Sequence, residues 1–487
     1  MSSVAPLVQE LDPPPDPLDC CSRCRDLPFL IFLDSAAASD RLGRYSFLSG
    51  DPAVVVRSKG EVTERWTGAA GTWERVVGDP LEYARATLLR DHAAPAIPDL
   101  PPFQGGAAGY IGYDWGTRLE RVAPPQFDDL AIPDCMLGWY DWVIAWDHEL
   151  GRAWLISTGL PETGPARSRR AAERLASIRA LLGGERRTPP PPSRPSAHRT
   201  ATTPAPPLHP FAGGIRSTFT RSAYCEAVRR VIDYLYAGDI FQANLSHRLQ
   251  SRLAEPPFDL YRRLRTHNPA PFSAYLDFGE LVVASSSPER FLRVSPRTRV
   301  VEARPIKGTR PRGRDPEDDA ALRQELSASE KDRAEHVMIV DVLRNDLSRV
   351  CRPGSVRVPE LFALEQYATV HHLVSTVVGE LAQDRDVVDL LRAAFPGGSI
   401  TGAPKIRAMQ IIAELEPTAR GVYCGSIGYL SVTGAMDTSI AIRTCLLLGE
   451  DVYFQVGGGI VADSDPEQEY NETLDKARGL IAALGAT

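Results

Sequence analysis

The stretch FSAYLDFGELVVASSS (residues 272–287) is rich in aromatic, aliphatic and small residues and reads as a strand. It belongs to a chain in which strands follow strands directly, without a helix between them. Strands joined this way pair antiparallel, whereas a doubly wound parallel sheet needs a helix at each crossover. DTSIAIRTCLLL (437–448) and VYFQVGGGIV (452–461) follow one another in the same manner, each read as one strand. Upstream, FLIFLDS (29–35), RYSFLSG (44–50), AVVVRSKG (53–60), MLGWYDWVIAWD (136–147) and RAWLIST (152–158) are strand-like. Helical spacing appears in DPLEYARATLLRDH (79–92), ARSRRAAERLASIRALL (166–182) and SAYCEAVRRVIDYLYAG (222–238). The alternation is irregular and without a repeat, so the expected class is α+β.

Composition narrows the function classes. The chain has 487 residues, 43% hydrophobic and 24% charged, as expected for a globular enzyme of one large domain or two smaller ones. A net charge of −7 argues against a nucleic-acid binder. No apolar run approaches the ~18 residues that span a bilayer, and MSSVAPLVQELDPPPDPLDC (1–20) lacks the basic and apolar regions of a secretion signal. Eight cysteines in so long a chain form no disulfide framework, which points to a cytoplasmic protein with free thiols. CCSRC (20–24) has no second ligand pair to complete a zinc site. Residues 1–25 are expected to be a disordered tail, and the Pro-rich run 183–215 a linker.

Three constellations carry chemistry. In DPEQEYNETLDKA (465–477), Glu469, Glu472 and Lys476 are spaced 0, +3 and +7, on one helix face. QVGGGIVADSD (455–465) precedes them, and its glycines (Gly457, Gly458, Gly459) expose backbone N–H groups to an anion. In SEKDRAEHVMIVDVLRNDL (329–347), Asp332 and Glu335 form a second acidic pair. Two such pairs beside an anionic ligand would suit a hard cation such as Mg2+. FPGGSITGAPKIRAMQII (395–412) is a Gly-rich turn opening a helix, where Ser399, Thr401, Gly402 and the helix N-terminus could receive an anion. It is neither a P-loop nor a dinucleotide fingerprint.

Two further stretches are less regular. SSSPERF (285–291) puts Glu289 just after a strand, and Arg443 interrupts an apolar run, where a guanidinium needs a carboxylate. ARPIKGTRPRG (303–313) holds Lys307 between prolines and glycines that are expected to break any regular element. Lys307 is read either as a solvated turn residue or as an amine whose pKa is lowered by desolvation.

Taken together, GDIFQANLSHR (238–248), SSSPERF, RPIKGTRPRG (304–313), HHLVSTVVGEL (371–381) and the three constellations resemble the chorismate-utilising enzymes. That family includes anthranilate, aminodeoxychorismate, isochorismate and salicylate synthases. The likeness spans residues 216–487 in order, and RYSFLSGDPAVVVRSKG (44–60) resembles the family's first lobe. The resemblance implies two packed antiparallel β-sheets with helices outside, with an N-terminal lobe over 26–182 and a chorismate-binding catalytic region over 216–487. It also implies a Mg2+-dependent reaction on chorismate. Glu335 and Glu472 match direct metal ligands, and Asp332 and Glu469 supporting ones. Ser399, Tyr423, Arg443, Gly457, Gly459 and Lys476 match positions that hold substrate carboxylates. His372 matches a histidine near the C4 leaving group, and Glu289 the acid that protonates it.

Two positions divide this family. Isochorismate and salicylate synthases carry a water-activating lysine where this chain has Gln242, so ammonia is favoured as nucleophile. Anthranilate synthases read PIAGT where this chain reads PIKGT. Lysine at that position marks the aminodeoxychorismate synthases, whose amine attacks C2 as the C4 hydroxyl leaves. A partly desolvated pocket is expected to keep Lys307 neutral.

No cysteine sits on the G-x-C-x-G elbow of a triad glutaminase, so ammonia is expected from a separate glutamine amidotransferase subunit. Asp34, Ser35, Arg44, Tyr45 and Ser46 resemble the family's tryptophan pocket, although an ordinary core of paired strands fits them equally well. The alternatives are an anthranilate synthase with an unusual lysine, or a non-catalytic regulatory member of the family.

Overall fold

The computed structural model describes residues 5–37, 41–68, 70–184, 203–211, 213–367 and 370–485. Among these, the strands form two large sheets whose ladders are antiparallel throughout. The opening stretch is a hairpin, Phe272–Asp277 paired with Leu281–Ser287.

The sheets are sandwiched, and each carries helices on its outer face. Strands covered on both sides must be apolar on both. In Trp142–Asp147, Val143 and Ala145 enter the core between the sheets, while Trp142, Ile144 and Trp146 face the helix layer. Ala274, Leu276 and Val283 join the inner core, and Tyr275, Val282 and Ala284 the outer one. The helices Gly164–Leu182, Pro257–His267 and Pro466–Leu484 cover the first sheet. Val387–Ala394 and Glu330–Ser348 cover the second.

The two halves of the chain are not separate sheets. Leu30–Asp34 pairs with Phe272–Asp277 in the first sheet, and Gly106–Ile111 pairs with Ser426–Ser431 in the second. Both ladders therefore run unbroken across the expected boundary between 26–182 and 216–487.

Three expectations need correction. Residues 5–25 are not a free tail: Leu7–Glu10 pairs with Arg152–Ser157, and Pro17–Cys24 is a helix capped by Asp16. Cys20, Cys21 and Cys24 point into the core, so burial holds this segment. DTSIAIRTCLLL is two strands: Met436–Ile440 lies in the second sheet and Thr444–Leu448 in the first. ARPIKGTRPRG does contain a strand, Ile306–Pro311, on the edge of the second sheet. Its pairing with Val370–Glu380 slips by one residue between Ile306 and Thr309, and Gly308 takes φ 81° there. A bulge on an edge strand absorbs both the glycine and the terminal proline.

Of the expected linker, 185–202 lies outside the described residues. Residues beyond it return to the fold, with His209–Pro210 pairing with Arg216–Ser217. No helix among the described residues is long and apolar enough to cross a membrane.

Candidate active site

The chain crosses between the sheets twice at one place. Glu289 lies where Leu281–Ser287 of the first sheet passes into Arg290–Val294 of the second, and Arg443 lies on the return crossing. The crossings are stitched together, with Ile440 N donating to Glu289 O at 3.0 Å and Ser286 N to Arg443 O at 3.0 Å. Glu289 and Arg443 thus lie on neighbouring crossings and outside the strand ladders.

Lys307 enters the same region from the bulged edge strand. Its Nζ is 3.1 Å from Glu335 Oε1 and donates to Ser399 O at 3.0 Å. Gln242, the first residue of Gln242–Arg252, donates its amide to the same Glu335 oxygen. Burial pulls the Lys307 pKa down, but the carboxylates of Glu335, Glu289 and Glu472 outweigh it and hold the amine above its ordinary value. These carboxylates thus oppose the neutral amine expected from desolvation alone.

Gly458 and Gly459 form a floor for the carboxylates. A Cβ on Gly458 would lie 3.2 Å from Glu469 Oε2, 3.5 Å from Glu472 Oε1 and 3.6 Å from Lys476 Nζ. All three therefore share the helix face that their spacing implies. A Cβ on Gly459 would lie 2.0 Å from Gln242 Nε2 and 2.9 Å from Glu335 Oε1. Lys476 pairs with Glu472 at 2.6 Å and donates to Gly457 O at 2.8 Å. Glu469 is buried and accepts from Ser464 Oγ at 2.6 Å. Burial raises its pKa, and the neighbouring Glu472 adds to this. Lys476 pulls Glu472 the other way.

Three oxygen donors over a glycine floor, with a raised carboxyl pKa among them, are a donor set that fits a hard divalent cation. They do not form a ready cluster: among the described residues no three acidic, His or Cys side chains stand at ligand spacing. Asp332 is drawn aside by Arg310, 3.2 Å away.

Glu289 is buried, and burial pushes its pKa up to about 6 against the pull of the Ser399 side chain and the Lys307 charge. His372 bonds Thr309 Oγ1 through Nδ1 at 2.8 Å, and burial beside Arg443 pushes it down to about 3, so it is neutral. Arg443 has φ 52°, and burial with no offsetting acid lowers its pKa, so its guanidinium would gain from an anion. Tyr423 is buried against Arg420, whose guanidinium lies 5.8 Å from its ring.

The Gly-rich turn behaves differently from expectation. The Thr401 hydroxyl donates to Gly397 O at 3.0 Å and so serves the loop. Gly402 is required by pairing: at φ 141°, a Cβ there would meet Gln242 O at 2.1 Å. The helix Lys405–Leu415 opens on Lys405, whose Nζ donates to Ala394 O at 2.8 Å. Thr309, Arg310 and the Asp346–Lys405 pair were not singled out. The one sequence signal for them is a cation at a helix start, where an acid is the rule.

A second cavity, of about 630 Å3, opens beside the first-lobe strands and is lined by Asp34, Ser35, Arg44, Tyr45, Phe47, Phe272, Arg293 and Tyr429. Asp34 is occupied by Tyr261 at 2.9 Å and Arg265 at 2.6 Å. Arg44 pairs with Asp147 and Glu149, each at 2.8 Å. Ser46 does not line the cavity; it bonds His148 Nε2 at 2.7 Å.

The family described as chorismate binding enzyme matches residues 38–482. Aminodeoxychorismate synthase component 1 of Salmonella typhimurium is 43% identical over 460 residues, 94% of this chain and 93% of that protein. Anthranilate synthase component 1 of Thermus thermophilus is 46% identical over 391 residues, 80% of this chain and 79% of that protein. The crystal structure of anthranilate synthase component I from Streptococcus pneumoniae superposes with a TM-score of 0.74 at 31% identity, covering 91% and 93% of the two chains.

Proposed function

Since the chain belongs to the chorismate binding enzyme family, we propose that it aminates chorismate at C4 to give 4-amino-4-deoxychorismate. The observation that carries this reading is the Lys307 amine, set among Glu335, Glu289 and Ser399 at the mouth of the carboxylate pocket. In this reading Arg443, Tyr423, Lys476 and the glycine N–H groups receive the substrate carboxylates. Glu335, Glu469 and Glu472 would hold Mg2+, which supplies positive charge for a ring carboxylate.

Lys307 first releases its ammonium proton to solvent and then attacks C2 as the C4–O bond breaks; Glu289 donates the proton that lets the hydroxyl leave as water and regains one from the aminated product. Ammonia then forms the C–N bond at C4 and expels the lysine amine from C2, so that chorismate and ammonia give product and water. His372, neutral and fixed by Thr309, is placed to hydrogen-bond near the leaving group.

Ammonia would come from a separate glutaminase, a reading supported by the "component 1" in relatives' names and by the missing cysteine elbow. The second cavity, with its aromatic floor and charged rim, would suit tryptophan. A cytoplasmic setting is supported by the eight buried, free cysteines. Amination at C2 with loss of pyruvate is the second reading, favoured by the Thermus relative.

The test is Lys307→Ala assayed with chorismate, Mg2+ and ammonium. Loss of C4 amination by at least ~100-fold is expected for removal of a covalent nucleophile. Full activity in the variant would remove the covalent role.

A further inference from the structure

Asp346 and Lys405 form an ion pair behind the pocket. Lys405 Nζ is 2.6 Å from Asp346 Oδ2 and donates to Ala394 O at 2.8 Å. Ala394 ends the helix Val387–Ala394 and Lys405 begins the helix Lys405–Leu415, so this ammonium joins the two ends of the segment 395–404. Asp346 stands in the last turn of Glu330–Ser348, the helix that carries Glu335.

We propose that this pair is a positioning latch that closes the segment 395–404 and ties it to the Glu335 helix, keeping the two acceptors of Lys307 in register. Those acceptors sit on the two elements that the latch joins: Ser399 O at 3.0 Å on the segment, and Glu335 Oε1 at 3.1 Å on the helix. The segment lies flush on that helix, since a Cβ on Gly398 would meet Val342 Cγ1 at 2.7 Å. The far side of the segment reaches the Gln242 strand, where Asn244 N donates to Thr401 O at 2.8 Å.

The pair stands where charge is costly. A lysine opening a helix opposes the helix dipole, and Pro404 before it offers no side-chain cap. Both side chains are nearly buried, at 14% and 7% exposure, and burial pushes Asp346 up to about 6. A packed apolar pair of similar volume would serve stability as well or better. What the ions supply beyond stability is the fixed geometry of the ends they join.

The proposal rests on the amination reading, and its test separates the two. In Asp346→Leu/Lys405→Met, hydrogen exchange of the Ile400 and Thr401 amides should rise at least tenfold while exchange elsewhere is unchanged. Amination turnover should fall at least 30-fold, with the KM for chorismate within threefold of the wild type. Lys405→Arg, which keeps the cation, should retain protection and at least a third of the turnover. If the double variant does not fold, Asp346→Glu, which displaces the carboxylate by one methylene, should show the same two changes. Unaltered exchange, or wild-type turnover, in a folded double or Asp346→Glu variant overturns the latch. A wild-type protein that aminates nothing contradicts the function alone, because the exchange measurement needs no turnover.

Discussion

Lys307 Nζ and Glu335 Oε1 stand 3.1 Å apart, and Gln242 donates to the same oxygen, so one carboxylate holds both side chains. Each side chain of the ion pair is 13% exposed. Glu335→Gln leaves a largely buried lysine without its nearest counter-ion. Scaled down from fully buried pairs, the expected cost is ~1–3 kcal/mol in urea unfolding. Glu335→Gln/Lys307→Met should recover most of that stability while remaining inactive. A double variant no more stable than the single one would show that the pair is not coupled.

Gly459→Ala tests the glycine floor. Its Cβ would fall 2.0 Å from Gln242 Nε2 and 2.9 Å from Glu335 Oε1, so both side chains must move. The expected result is a drop in kcat/KM of ~100-fold, as for misplacement of groups by about an ångström. Gly458→Ala, with 3.2 Å or more to each carboxylate, should be milder and should raise the Mg2+ concentration needed for half-maximal rate. Equal, small effects of the two changes would argue against the floor.

Glu289 sets a pH limit. In the proposed mechanism it is the general acid and must be protonated, and burial pushes its pKa up to about 6. Its contribution to kcat/KM is full below that pH and falls as pH rises through it. Glu289→Gln should lower kcat by ~100- to 10,000-fold and flatten that limb. A wild-type profile with no change near pH 6 would assign the acid elsewhere.

His247 predicts an acid weakness of the fold. It is buried between Ser217 Oγ at 3.0 Å and Thr473 Oγ1 at 3.1 Å, and burial pushes it down to about 3 from 6.5. The unfolded chain takes up this proton first, so stability is lost as pH falls from 6.5 toward 3. The slope from this one group is roughly 1.4 kcal/mol per pH unit. His247→Asn should be less stable at pH 7 yet have a flatter profile below pH 6, read by urea unfolding.

How far the sequence could be read differs from residue to residue. The strand character of 272–287 is legible because its residues are apolar on both faces, but the turn that folds it into a hairpin is not. The shared face of Glu469, Glu472 and Lys476 follows from helical period alone. The sheet crossing at 441–443 is not legible, since an apolar run reads the same whether it continues in one sheet or passes to the other. The charge state of Lys307 is hidden for a related reason: Glu335 and Glu289 come from separate elements, and only the fold brings them to the amine. The N-terminal helix is hidden because it is only eight residues long and follows a Pro-rich run that reads as a tail.

The most direct measurement is the product formed by the purified protein from chorismate, Mg2+ and ammonium, with and without a lyase that makes 4-aminobenzoate. The account predicts 4-amino-4-deoxychorismate alone, and 4-aminobenzoate once the lyase is added. Fluorescent anthranilate as the main product would contradict it.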